Sequence, residues 1–371
     1  MKRLVVCCDG TWNRPDEVSQ GVAAPTNVAK LALALAEEDE AGNAQLLHYQ
    51  AGVGTRRGER FVGGAFGVGL SRNIQDCYRF LVDNYEPGDK LYLFGFTRGA
   101  YTARSLAGLV RNSGILRPEE RQRIGDAYAL YRRPDKELEP SSIAAELFRR
   151  SHSYAETYID FVGVWDTVGA LGIPIDGFRP PLLSRLWTFH DTTLSRYVLN
   201  AFHALAIDER RRPFRPTVWE QKPDAPPDQV LEQVWFAGVH SDVGGGYSDT
   251  GLSEIPLLWM AEKARGCGLA FKPDHLVVTT GPIEPEQRRE GIEVAPNAAG
   301  DLHPSRKGIY LLQRAYDRRL AGDHGAPVAG GALASSAEER YERDADYRPP
   351  GLAEWLAAGK KVTPVPPPAR R

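Results

Sequence analysis

The chain has 371 residues, 42% apolar and 25% charged, with a formal net charge of −2. That is the make-up of an ordinary globular protein, and the near-neutral balance leaves no overall basic field to draw nucleic acid or anionic lipid. Four cysteines, Cys7, Cys8, Cys77 and Cys267, form no C-x-x-C pair, which argues against a disulfide framework or a zinc site and for a reduced compartment.

In chain order, RLVVCC (3–8) reads as a buried strand ending at Asp9-Gly10-Thr11-Trp12-Asn13. Its apolar run is too short for a signal-peptide core, and no stretch reaches the length of a membrane span. A cytoplasmic location is therefore expected, although export by a specialised secretion system would leave no such mark. TNVAKLALALAEE (26–38) has helical spacing behind a capping Thr26. QLLHYQ (45–50) gives a second strand, followed by a Gly-rich loop over 51–69. A helix over about 70–85 leads through Glu86-Pro87-Gly88-Asp89 to a strand over 90–95 and a helix over about 98–113.

Further on, YIDFVGVWDTVG (158–169) is a β-rich run containing Asp166, and LEQVWFAGVHSDVGGGY (231–247) is another, leading into His240 and a glycine run. SEIPLLWMAEKARGCG (253–268) is a capped helix closed by glycine. Strands alternating with helices predict an α/β fold with a mostly parallel central sheet covered on both faces. The aromatic and proline-rich segment 170–230 is expected to be a lid or insertion over the active face. Residues 320–345, rich in Ala, Gly and Glu, read as a flexible connection. One domain is expected over 1–357, followed by a flexible Pro-rich tail over 358–371.

In such sheets ligands sit at the carboxyl ends of the strands. Four predicted strands end in chemically capable groups: Asp9, Thr97, Asp166 and His240. The stretch LYLFGFTRGAYTARSLAGLV (91–110) has the strand, sharp turn and helix that surround a hydrolase nucleophile, with Thr97 at its centre. Gly95 and Gly99 supply the small neighbours that a strained elbow requires. The roles that follow are Thr97 as nucleophile, His240 as base and Asp166 as the acid that fixes the imidazole. The oxyanion would be met by the amide of Arg98, joined by Gly10 or Thr11. Asp9 and Asp242 are candidate substrate-binding groups.

Plainer readings stand beside these. Glycines flanking a polar turn are common, Asp166 could cap the next segment, His240 next to Asp242 could be a satisfied core histidine, and Asp9 could make an Asx-turn. Gly244-Gly245-Gly246 could bind phosphate or form a tight loop beneath the site. His203 and Asp208 are a rival His/Asp pair, and Arg210 to Arg212 would hold nearby acidic groups or line the lid.

The blocks LVVCCDGTWN, YQAGVGT, LFGFTRGAYTARSLAGLV, FVGVWDTVGALG, HALAIDERRRPF, VWFAGVHSDVGGGY and YRPPGL follow one another in this order over about residues 3–355. In that order they resemble domain of unknown function 2235, an α/β-hydrolase-like family that includes the catalytic domain of type VI secretion phospholipase effectors. The resemblance implies an α/β-hydrolase core with a Ser-Asp-His triad, whose positions fall here on Thr97, Asp166 and His240. The family's elbow reads G-F-S-R-G, so this chain departs from it at the nucleophile.

The expected function is hydrolysis of carboxylic esters, of small molecules, lipids or phospholipids, without a required metal or cofactor. Two alternatives remain at this point. One is metal-assisted hydrolysis with Asp9, Asp166, His240 and Asp242 as ligands. The other is a catalytically silent binding protein that keeps the pocket.

Overall fold

The computed structural model describes residues 1–10, 18–19, 22–52, 65–132, 142–169, 192–279, 292–322 and 328–365. Among them, eight strands form one sheet: β1 (Arg3–Cys8), β2 (Gln45–Gln50), β3 (Lys90–Phe96), β4 (Phe161–Trp165), β5 (Asn200–Ala206), β6 (Val230–Phe236), β7 (Gly331–Ala334) and β8 (Val362–Thr363). Their order is β8-β7-β6-β5-β4-β3-β1-β2, and every pairing is parallel.

Helices connect them: α1 (Asn27–Ala34), α2 (Ala65–Asn84), α3 (Arg98–Ser113), α4 (Ile124–Arg132), α5 (Ile143–His152), α6 (His240–Gly244), α7 (Gly251–Gly266), α8 (Ser335–Arg343) and α9 (Pro350–Ala357). The cap read from the sequence is present: the amide of Ala29 donates to Thr26 Oγ1 at 3.2 Å.

The period of two in the strands explains why both faces are covered. In β1, Leu4, Val6 and Cys8 join one apolar cluster with α2, α3 and α4, whereas Val5 and Cys7 join the opposite one with α1 and α7. A third cluster packs Trp235 and Leu333 of the sheet against Ala337 of α8 and Leu352 and Trp355 of α9. Each fully buried Leu or Phe in these layers contributes about 1.5–3 kcal/mol relative to exposure.

The strand order reverses at β1, which pairs with both β2 and β3. A crevice forms at the carboxyl edge of such a reversal. Cys8 and Gly95 are register partners there, so the Asp9 turn and the Thr97 turn leave the sheet side by side.

Three boundaries differ from the sequence reading. The lid or insertion expected over 170–230 does not run that far, because residues 200–206 are the buried strand β5 in the middle of the sheet; residues 170–191 lie outside the described residues. The flexible connection expected over 320–345 instead contains β7 and α8, since Ala332, Leu333 and Ala334 are buried against β6. The sheet also extends past the domain end expected at 357, because Val362 and Thr363 pair with Leu333 and Ala334. Among the described residues no helix is long and apolar enough to cross a membrane.

Candidate active site

Thr97 sits between the last residue of β3 and the first of α3, at φ 51° and ψ −114°. A β-branched residue in the left-handed region is strained by about 1–3 kcal/mol, and such outliers persist only where the surroundings fix them. Here its amide donates to Trp165 O at 3.2 Å, tying the turn to the end of β4. The flanking glycines have a measurable reason. A Cβ on Gly95 would lie 2.5 Å from Gly99 O, and one on Gly99 would lie 2.0 Å from Cys8 O. The turn closes only because both side chains are absent.

Asp166 follows β4, is fully buried and also has positive φ, 35°. Its amide donates to Ala204 O at 2.7 Å, and its Oδ1 accepts from Ala206 N at 3.1 Å. Oδ2 meets His240 Nδ1 at 2.5 Å, and Arg318 approaches both carboxylate oxygens, at 2.5 and 3.0 Å. Burial alone would raise this carboxyl, but the Arg318 charge and the His240 hydrogen bond hold it well below the usual carboxylate range.

His240 opens α6 just beyond β6. Its ring lies against Phe96, centroids 4.6 Å apart and planes tilted by 31°, and meets Phe214 edge-on at 4.9 Å. Phe96 immediately precedes Thr97, so the elbow and the imidazole are neighbours. Nδ1 is taken up by Asp166, while Nε2 is buried and has no hydrogen-bond partner among the described residues. Hydrogen bonds between nucleophile and base are commonly long without ligand.

Around this core stand groups that the sequence alone did not bring together. Glu209 is fully buried, forks onto Arg211 at 2.9 and 2.7 Å, and accepts from the His240 amide at 3.4 Å. The Arg211 guanidinium lies 3.6 Å over the Phe214 ring and faces Tyr310. Of the run Arg210 to Arg212, Arg210 pairs with Asp317 at 2.8 Å and Arg211 with Glu209. Arg98, in the first turn of α3, is lowered by burial, and Tyr310 is near it. Its amide is at the start of the helix, where backbone N–H groups have no intrahelical acceptor.

Other candidates are placed differently. The Gly10 amide donates to Asp9 Oδ1 at 2.6 Å, so it is not directed at an oxyanion; Thr11 lies outside the described residues. Asp9 also accepts from Thr26 Oγ1 at 2.8 Å and from the Tyr49 hydroxyl, which makes it a knot between β1, α1 and β2 rather than a group aimed at substrate. Asp242 caps its own helix at Val239 N, 2.9 Å, and pairs with His303 Nδ1 at 2.7 Å. Of Asp9, Asp166, His240 and Asp242, Asp166 and His240 meet, and among the described residues no three His, Cys, Asp or Glu side chains gather as a metal centre would require.

The rival pair also separates. His203 Nε2 accepts from Thr167 N at 3.1 Å and its Nδ1 faces Gln233 at 3.2 Å, whereas Asp208 accepts from Gly238 N and the Tyr347 hydroxyl. The glycine run is a tight loop: a Cβ on Gly244 would lie 2.0 Å from the Phe96 ring, and Gly245 has φ 83°.

A family model described as the catalytic domain of the Tle1-like phospholipase effectors of type VI secretion matches residues 2–263. An uncharacterised protein of Saccharomyces cerevisiae is 30% identical over 246 residues, covering 61% of this chain and 34% of the relative. Among solved structures, an uncharacterised protein from Pseudomonas aeruginosa aligns with a TM-score of 0.40 at 16% identity, over 73% of this chain and 46% of the other. The Tle1 effector bound to the VgrG spike of the type 6 secretion system aligns with a TM-score of 0.38 at 20% identity, over 67% and 52%. The chain thus spans about a third to a half of the length of these relatives.

Proposed function

The chain belongs to the family of Tle1-like phospholipase effector catalytic domains, and from that premise we propose that it hydrolyses carboxylic esters of lipids, with phospholipids as the leading substrate class. The observation that carries this reading is the His240–Asp166 contact at 2.5 Å, with Nε2 unpartnered among the described residues and with Phe96, the residue before the strained Thr97, against the imidazole ring.

In this mechanism the Thr97 hydroxyl oxygen attacks the acyl carbonyl carbon while its proton passes to His240 Nε2. The resulting oxyanion is met by the amides at the start of α3, Arg98 among them. Collapse breaks the ester C–O bond, and the departing alkoxide takes the proton back from Nε2. Water, deprotonated by the same nitrogen, then attacks the acyl carbon; the bond to the Thr97 oxygen breaks, that oxygen takes the proton back from Nε2, and the fatty acid is released. Asp166 holds the ring and balances its transient positive charge. The substrate comes from a membrane, and delivery by a specialised secretion route belongs to the same proposal.

The test is a screen of chromogenic esters and phospholipid vesicles with purified protein, alongside Thr97→Ala and His240→Ala. Hydrolysis by the parent that both variants lose supports the reading. Equal hydrolysis by Thr97→Ala would remove the nucleophile, and sensitivity of that residual activity to a chelator would favour the metal-assisted route. The branched residue at φ 51° supports a second reading, a silent protein that retains the pocket. It expects no ester turnover by the parent and activity awakened by Thr97→Ser.

A further inference from the structure

Arg318 pairs with Asp166, fully buried beside it. Its side chain is 0% exposed, and it reaches Asp166 Oδ1 through Nη1 at 2.5 Å and Oδ2 through Nη2 at 3.0 Å. The same guanidinium donates to Ala206 O at 2.7 Å and to Phe214 O at 2.6 Å. One side chain thereby ties the acid to the end of β5 and to the residue whose ring walls the imidazole. Burying an arginine is costly unless its geometry is fixed and its donors are used; here Nη1 and Nη2 are paired, whereas Nε has no hydrogen-bond partner among the described residues. Moreover, it lies beyond residues 2–263, the span matched by the family model.

The support for Arg318 is equally specific. Gly351, in the first turn of α9 and in the block YRPPGL, packs so closely that a Cβ there would lie 2.2 Å from Arg318 O and 2.9 Å from Leu320 Cδ1. Pro349 and Pro350 set the helix start that brings Gly351 onto this backbone.

We propose that Arg318 is a positioning residue of the hydrolytic site: acting through Asp166, it fixes the carboxylate that orients His240 and moderates the proton affinity of the His240–Asp166 pair, with Gly351 as its backstop. The proposal rests on the reading of Asp166 and His240 as catalytic partners. The pair titrates as a unit, and a cation behind the carboxylate opposes proton uptake by it.

Other charged groups surround the pair. Glu209 and Arg211 come from the loop after β5, Arg98 with Tyr310 from the elbow side, and Asp242 with its partner His303 from α6. His203, on β5, is near Asp166, and Arg104 of α3 is near His203. Arg318 is the cation that forks onto the carboxylate itself.

The experiment compares kcat and KM across pH for the parent, Arg318→Gln, Arg318→Lys and Gly351→Ala. Arg318→Gln is expected to lower kcat by about 10- to 100-fold with KM within about twofold, a misplacement effect. It also moves the acid limb of kcat/KM up by about one pH unit. Arg318→Lys keeps the charge, so the limb returns to the parental position while kcat stays about tenfold low. Gly351→Ala shifts toward the Arg318→Gln behaviour. Parental kcat and an unmoved acid limb in Arg318→Gln, with only a lower melting temperature, would overturn the proposal. If Arg318→Gln does not fold, parental kcat in Arg318→Lys overturns it. Should the parent hydrolyse nothing, the proposed function fails separately. Ring NMR titration of the pair then decides the matter: a midpoint unmoved between parent and Arg318→Gln, or moved in Arg318→Lys, counts against the proposal.

Discussion

His240 Nδ1 stands 2.5 Å from Asp166 Oδ2 across 74 residues of chain, because β4 and β6 end at the same edge of a parallel sheet with only β5 between them. Neither residue has local reason to find the other; the sheet order brings them together.

Asp166→Asn removes the charge that Arg318 and His240 share. By analogy with triad acids changed to amides, kcat is expected to fall about 10³- to 10⁴-fold. The orphaned guanidinium should destabilise the fold by about 3–5 kcal/mol at neutral pH. Because the folded carboxyl is held below its ordinary value, its stabilisation is full above about pH 4 and is lost as pH falls. Thermal unfolding across pH should therefore show a flatter acid side in the variant than in the parent.

At Thr97 the strain and the chemistry can be separated. Thr97→Gly relieves a branched side chain at φ 51° and should raise stability by about 1–2 kcal/mol while abolishing turnover. Thr97→Ser keeps the hydroxyl without the methyl and should increase kcat by about tenfold. Denaturant unfolding and ester kinetics on both variants check this; equal stability of all three proteins would contradict it.

His203 is expected to act on stability alone. Burial, then the nearby Arg104, pushes its imidazole down to about 3. A depressed base contributes stability in full above its unfolded value, about 6.5, and loses it as pH falls toward the folded one. The parent should thus weaken by a few kcal/mol between about pH 6 and 4. His203→Gln should flatten that decline and leave ester turnover at pH 8 within about twofold. A larger loss of turnover would revive His203 as a catalytic base.

Gly244→Ala tests the wall behind the imidazole. The added Cβ would sit 2.0 Å from the Phe96 ring, which itself lies against His240. Overpacking of this kind costs about 1–3 kcal/mol, and the displaced ring should lower kcat by about 10²-fold. Calorimetry and kinetics on the same preparation read both effects.

What could be read from sequence follows from local signals. β1, β3, β4 and β6 announce themselves as short apolar runs broken by turn residues, and the clash distances at Gly95 and Gly99 show why those glycines are needed. β5 was hidden because NAFHALA lies in an aromatic and proline-rich stretch and carries a histidine that is neutral and hydrogen-bonded inside the core. β7 was hidden because GALA has no branched or aromatic residue; its burial comes from neighbours in the sheet. Arg318 could not be located at all, since nothing in QRAYDRR distinguishes the one arginine that turns inward. Asp9 and Asp242 looked chemical because they follow strands, yet both satisfy local amides and neighbouring side chains.

The most direct measurement is to treat the purified protein with a fluorophosphonate and locate the adduct by peptide mass spectrometry. Phosphonylation of the Thr97 oxygen is expected in the parent, with no adduct in Thr97→Ala and a strongly slowed one in His240→Ala. An adduct on another residue, or ester hydrolysis by a parent that takes no label at Thr97, would contradict it.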